Sequence, residues 1–174
     1  MATATTAQTP GAPLLEIAGL TVEFPQYGAR SRPALNNINF SIARGEVVGL
    51  VGESGSGKTT LARSIMQLVP EPGYISAGTI VFEGRSLAAL DPQTLRQLRG
   101  REIAMIISNP RGELDPLQTV GQQIGNVLRA HTGLNEAGIR LRVLELLKQV
   151  SIPAPERRIN AYPHELSGGM AQRV

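Results

Sequence analysis

Hydrophobic positions change period along the chain, and each change marks an element. Residues 14–24 are rich in Leu, Ile, Val and Phe and predict a strand, followed by a polar loop at 25–33 that carries Tyr27, Arg30 and Arg32. Residues 34–43 place Leu35, Ile38, Phe40 and Ile42 with a period of two from Ile38 onward, which predicts a half-buried strand. Arg44 and Gly45 predict a turn into the apolar run 46–51, a third strand. Residues 60–69 predict a helix that runs out at Pro70 and Pro72, and residues 78–84 predict another short strand. Asp91 before Pro92 has the form of an N-cap with proline at the first helical position, so 91–99 is expected to be a short helix. Residues 103–107 form an uninterrupted apolar run, suited to a strand buried on both faces of a parallel sheet.

The second half of the chain turns helical. Thr119 and Gln122 have the spacing of a capping box opening a helix to about His131. Asn135 can cap a second helix, whose positions Ile139, Val143, Leu146, Leu147 and Val150 repeat at helical spacing with Leu144 beside them. Two consecutive helices after a sheet imply a small helical subdomain, taken as about 110–174. Residues 1–13 are Ala, Thr and Pro without a basic start or an apolar run, a loose tail and not a signal peptide. No internal repeat is present.

Between the 46–51 run and the helix after it lies Gly52-Glu53-Ser54-Gly55-Ser56-Gly57-Lys58-Thr59, which fits the G-x-x-x-x-G-K-[ST] phosphate loop. Glycines at Gly52, Gly55 and Gly57 allow positive φ and close approach, so successive N–H groups can turn inward as an anion nest. The helix beginning near Lys58 adds its unpaired amides and the positive end of its dipole. Lys58 can reach the β- and γ-phosphates, the Thr59 hydroxyl is placed for Mg²⁺, and Thr60 can bond a phosphate. A bare glycine-rich turn before an ordinary helix is the competing reading, and the flanking strand and helix disfavour it.

Composition narrows the partners. With 174 residues, 41% hydrophobic and 18% charged, the chain can build a core. The net charge is +3, and all but Lys58 and Lys148 of the 17 basic residues are Arg. They are scattered, and aromatics make up only 3%, so a nucleic-acid surface is not indicated. Cysteine is absent, which removes thiolate metal sites and disulfides and suits a reducing compartment. No run approaches the roughly 18 apolar residues of a spanning helix.

The last stretch makes the phosphate loop specific. Leu166-Ser167-Gly168-Gly169-Met170 resembles the signature motif of ABC ATPases, and the lead-in Tyr162-Pro163-His164-Glu165 resembles that of the subfamily powering peptide and nickel importers. The resemblance covers about residues 14–174. It implies an α/β fold: a P-loop NTPase core with an N-terminal antiparallel β subdomain and a helical subdomain. It also implies ATP and Mg²⁺ as cofactors and a head-to-tail pair of ATPase subunits. The nucleotide would lie between one subunit's Gly52–Thr60 loop and the other's Leu166–Met170 signature. Further implied partners are transmembrane permease subunits and, indirectly, an extracytoplasmic substrate-binding protein, with the chain peripheral on the cytoplasmic face of the membrane. Ser167 is a good N-cap, and Gly168 and Gly169 would bare the first amides of a helix; a plain capped helix start is the alternative. Tyr27 lies where the family stacks an aromatic on adenine, with Phe24 as a rival. His164 and Glu165 read as a loop contact near a partner or as surface residues.

Two departures from the family pattern stand out. Where the family has a glutamine after the 103–107 strand, this chain has Ser108, followed by Asn109 and Pro110. A serine is too short for the glutamine's contact with metal and water, unless Asn109 substitutes. The strand ending in an Asp for Mg²⁺, the catalytic Glu and the later His of the family do not occur, so no catalytic residue is assigned. The chain looks like the amino-terminal part of a longer protein and is expected not to hydrolyse ATP by itself. Its rivals are a nucleotide-binding fragment or degenerate partner that binds ATP without turnover, and a soluble ABC protein.

Overall fold

The computed structural model describes residues 11–25, 33–107 and 110–174. They fall into two compact units divided between Arg99 and Gly100.

The first unit is built on an antiparallel sheet of β1 (Leu15–Glu23), β2 (Pro33–Ile42), β3 (Tyr74–Phe82) and β4 (Arg85–Ser86), in the order β2-β1-β3-β4. β1 pairs on both edges and buries Leu15, Ile17, Leu20 and Val22. The inward residues skip three positions, not two, between Ile17 and Leu20, which would turn the rest of the strand inside out in a regular ladder. A bulge absorbs the slip: the register shifts there against both neighbours, and Gly19 takes φ +64°. Opposite it, Gly78 has φ +91°, and a Cβ on it would come within 2.5 Å of the Gly19 backbone. The Asn39 side-chain oxygen accepts from the Gly19 N–H at 2.7 Å, replacing a ladder bond.

α1 (Lys58–Ile65) ends well short of the expected Pro70. Gln67 adopts φ +51°, and Leu68 N–H donates to Arg63 C=O at 2.8 Å while Gln67 N–H donates to Ser64 C=O at 2.9 Å. This is a Schellman ending, which reverses the chain before the prolines are reached. Arg99 finishes it, its guanidinium donating to the Met66 and Gln67 carbonyls at 2.9 Å each. α2 (Pro92–Leu98) starts as the sequence indicates: Asp91 accepts from the Gln93 and Thr94 amides at 2.9 and 3.0 Å. The Thr94 hydroxyl, first, and these amides hold the Asp91 carboxyl below its ordinary value.

Two expected strands do not form. Residues 46–51 have strand composition but pair with nothing, and Val47 and Val51 are 96% and 77% exposed. In residues 103–107, Ile103 makes a single bridge and the rest no ladder, leaving Ile106 96% exposed. A strand exists only where another backbone takes its hydrogen bonds, and neither run has such a partner among the described residues.

The second unit holds α3 (Pro110–Glu113), α4 (Val120–His131), α5 (Glu136–Gln149), α6 (Pro155–Arg158) and α7 (Gly168–Ala171). Its core joins Val120, Ile139, Val143, Leu147, Ile152, Ile159, Leu166 and Met170. The Thr119–Gln122 capping box is present, and Asn135 caps α5 through the Gly138 amide at 2.9 Å. Arg129 pairs with Glu136 through two 2.8 Å hydrogen bonds that hold this carboxyl below its ordinary value. Val150, expected on the buried stripe, instead ends α5 and is 39% exposed.

Arg99 ties the end of α1 to the chain after α2 through two charged hydrogen bonds, each worth about 1.5–3 kcal/mol. Arg99→Met is expected to lower the thermal unfolding midpoint of the full-length protein. An unchanged midpoint would mean that water serves these carbonyls equally well.

Candidate functional site

The phosphate loop is assembled by two neighbours of different kinds. On one side Gly57, at φ +95°, is the N-cap of α1 and has no room for a side chain. A Cβ would come to 2.8 Å from Leu35 and 2.9 Å from the Ala34 carbonyl of β2. On the other side Lys58 folds back: its Nζ donates to the Gly52 and Glu53 carbonyls, both at 2.7 Å, and to Ser56 Oγ at 3.3 Å. A turn bond from Ser56 N–H to Glu53 C=O, 3.1 Å, closes the tip. Gly55 takes φ +81° and has nothing within 4 Å of a built Cβ. Gly52, read from the sequence as needing the same freedom, is not in the left-handed region.

Donors for an anion follow from this start. The first helical bond of α1 runs from Leu61 N–H to Gly57 C=O at 2.8 Å, so the amides of Lys58, Thr59 and Thr60 have no helical acceptor. Thr59 is exposed and Thr60 half-buried at the same end. Amides, dipole and ammonium thus present positive potential at one spot, the chemistry of a polyphosphate site. Beneath it, Leu61 and Ile65 of α1, Phe40 and Ile42 of β2, and Val48 and Leu50 line an apolar cavity of about 150 Å³.

The other motif lies in the second unit. Ser167 caps α7, its Oγ accepting from the Met170 N–H at 3.3 Å. Leu166 and Met170 are buried in the core, at 2% and 7% exposure, so they anchor the motif and only Ser167, Gly168 and Gly169 face outward. Neither glycine has positive φ, and a Cβ on either would meet nothing within 4 Å. Their identity therefore has no explanation among the described residues, although glycine in a helix is roughly 0.5–1 kcal/mol worse than alanine. Tyr162 and His164 stack with ring centroids 5.8 Å apart, and Glu165 accepts from the Tyr162 amide at 2.7 Å, so these residues shape the turn before the motif.

Tyr27, Ser108 and Asn109 lie outside the described residues. The Phe24 ring is pressed on the backbone at Gly73, where a Cβ would come to 2.3 Å, so it serves the packing of the first unit. The role of Ala34 and Leu35 as the wall behind Gly57 carries no sequence signal, because it depends on backbone proximity alone.

A family model described as ABC transporter matches residues 35–174. The chain belongs to the ABC transporter family. It is 44% identical over 162 residues to the oligopeptide transport ATP-binding protein OppD of Bacillus subtilis (strain 168), covering 92% of this chain and 45% of that protein. It is 48% identical over 163 residues to the peptidoglycan transport ATP-binding protein YejF of Agrobacterium fabrum (strain C58 / ATCC 33970), covering 93% of this chain and 30% of that one. A dimeric ATP-binding cassette in a post-hydrolysis state, bound to ADP and Pi, superposes with a TM-score of 0.72 at 25% identity over 92% of this chain and 68% of its own. The ABC-family chain thus spans less than half the length of these two curated relatives, and its fold is that of an ABC cassette, as the motifs imply.

The two loop glycines should differ in tolerance. At either position alanine meets the cost of positive φ, roughly 1–2 kcal/mol, but at Gly57 it also collides with β2. Gly57→Ala is expected to lower the thermal unfolding midpoint clearly more than Gly55→Ala. Equal shifts would show that the Ala34–Leu35 wall yields without cost.

Proposed function

We propose that this chain is the nucleotide-binding part of the ATP-hydrolysing subunit of an ABC importer for peptides. Its phosphate loop would hold the triphosphate of ATP, with Lys58 and the amides of Gly55 to Thr60 on the phosphates. Mg²⁺, bound with the nucleotide, would take the exposed Thr59 hydroxyl as a ligand and supply charge neutralisation at the phosphates. Ser167, Gly168 and Gly169 would meet the nucleotide of a second, facing subunit. The observation that carries the reading is the pair of outward glycines that nothing among the described residues requires. Such a residue choice is expected where another molecule's atoms come close. The dimeric, ADP-bound cassette supports the pairing, and the OppD relative supports the peptide cargo. Permease subunits would bind the assembly at the cytoplasmic face of the membrane; no helix among the described residues is long and apolar enough to cross it.

In the full-length subunit, Lys58→Ala removes charge-assisted hydrogen bonds of about 1.5–3 kcal/mol each, so ATP affinity should fall by about tenfold to a hundredfold or more. Gly168→Asp should leave that affinity intact and abolish turnover, because the carboxylate would repel the facing phosphate. Calorimetry with ATP and phosphate release from the assembled transporter test both. Undiminished affinity in the first, or normal turnover in the second, would sink the corresponding assignment.

We infer also that the 174-residue chain by itself does not turn over ATP. The described strands that run into a carboxylate, β1 at Glu23 and β3 at the following Glu83, belong to the antiparallel sheet and not to a strand beside the phosphate loop, and the runs bearing Val47, Val51 and Ile106 are uncovered. Phosphate release by the purified chain at about 1 s⁻¹, an ordinary enzyme rate, would overturn this.

A further inference from the structure

Arg173 connects the outward glycines to the end of a long helix, α5. Its Nε donates to the Gly169 carbonyl at 3.0 Å. Its Nη1 donates to the carbonyls of Val150 and Ser151, at 3.2 and 2.8 Å, at the C-terminus of α5. Both ends of this bridge need a donor. In α7 the Ser167 and Gly168 carbonyls receive the amides of Ala171 and Gln172, whereas the Arg173 amide goes to Met170, so the Arg173 side chain serves the Gly169 carbonyl. At α5 the chain closes in a Schellman turn, with Ile152 N–H on Leu147 C=O at 2.9 Å and Ser151 N–H on Lys148 C=O at 2.9 Å. Ser151 is held at φ +56° there, and the last carbonyls project outward, where a cation also complements the helix dipole.

Arg99 does the same at the end of α1, which is a second instance of an arginine completing a Schellman ending with a non-glycine residue at positive φ. The difference lies in what else the arginine holds. Among the described residues Arg99 donates to the helix end it caps, while Arg173 also donates to Gly169. The Gly169 carbonyl shares its peptide plane with the Met170 N–H, which donates to Ser167, so holding that carbonyl holds the first turn of α7 and, through that turn, the direction of the Gly168 and Gly169 amides.

We propose that Arg173 is a positioning residue for ATP turnover: its guanidinium fork fastens the Ser167–Gly169 segment to the C-terminus of α5, so that its amides meet the facing nucleotide already aligned. This rests on the reading of Ser167, Gly168 and Gly169 given above. Alignment of donors before reaction lowers the barrier, so the loss is expected in kcat. Lysine keeps the charge but offers its donors from one atom, so it can serve the α5 carbonyls or Gly169 and not both.

The test uses the full-length subunit in the assembled transporter with Arg173→Lys, Arg173→Gln and Gly168→Asp. ATP affinity of the subunit by calorimetry, thermal midpoint, and kcat and KM for ATP per folded subunit are measured for each. Expected are ATP affinity within about twofold of the parent for both Arg173 variants, a kcat lowered about tenfold with KM little changed, and a midpoint recovered by lysine without recovery of kcat. A kcat per folded subunit equal to the parent's, or one fully restored by lysine, would overturn the proposal and leave Arg173 a helix cap like Arg99. Full turnover by Gly168→Asp would overturn it for the other reason, that the glycine segment does not meet nucleotide.

Discussion

At Gly57 the phosphate loop runs against the β2 backbone with less than a methyl group's space between them. That close approach sets where α1 begins, because the same residue is its N-cap in a left-handed conformation that other residues rarely adopt. Where α1 begins decides which amides lack helical acceptors, and these are the amides left available to an anion. The antiparallel sheet is therefore part of the site: a shift of β2 would move the first turn of α1 and the Lys58 contacts with it.

Helix ends recur as the places where this chain is organised. Starts are closed by short side chains reaching their own backbone: Asp91, Thr119, Asn135 and Ser167. Ends are closed over distance, by Arg99 at α1 and Arg173 at α5. The chemistry explains the division. An N-cap needs one acceptor for an amide two or three residues on, while projecting carbonyls need donors that arginine can bring from elsewhere in the unit. A chain with 17 basic residues, nearly all arginine, has many such donors, and its basicity here is structural as much as electrostatic.

The uncovered runs at 46–51 and 103–107 mark the limit of local information. Both have the composition of buried strands, and both remain without a ladder. In a parallel sheet each strand depends on neighbours brought by crossover connections, so composition alone cannot make one.

By itself, the sequence determined much of what depends on neighbours within a few residues, though not the Schellman endings at Gln67 and Ser151, where residues other than glycine take positive φ. The phosphate loop, the caps at Asp91, Thr119, Asn135 and Ser167, and the helical spacing of Ile139, Val143 and Leu147 were all legible, since each is a contact spanning at most a few residues or a period of one element. The order β2-β1-β3-β4, the bulge at Gly19 against Gly78, and the reach of Arg99 to α1 and of Arg173 to α5 were decided only in the tertiary structure. These join residues far apart in the chain. Gly78, for instance, is a glycine because the Gly19 backbone occupies the space of its side chain, and no local pattern encodes that separation.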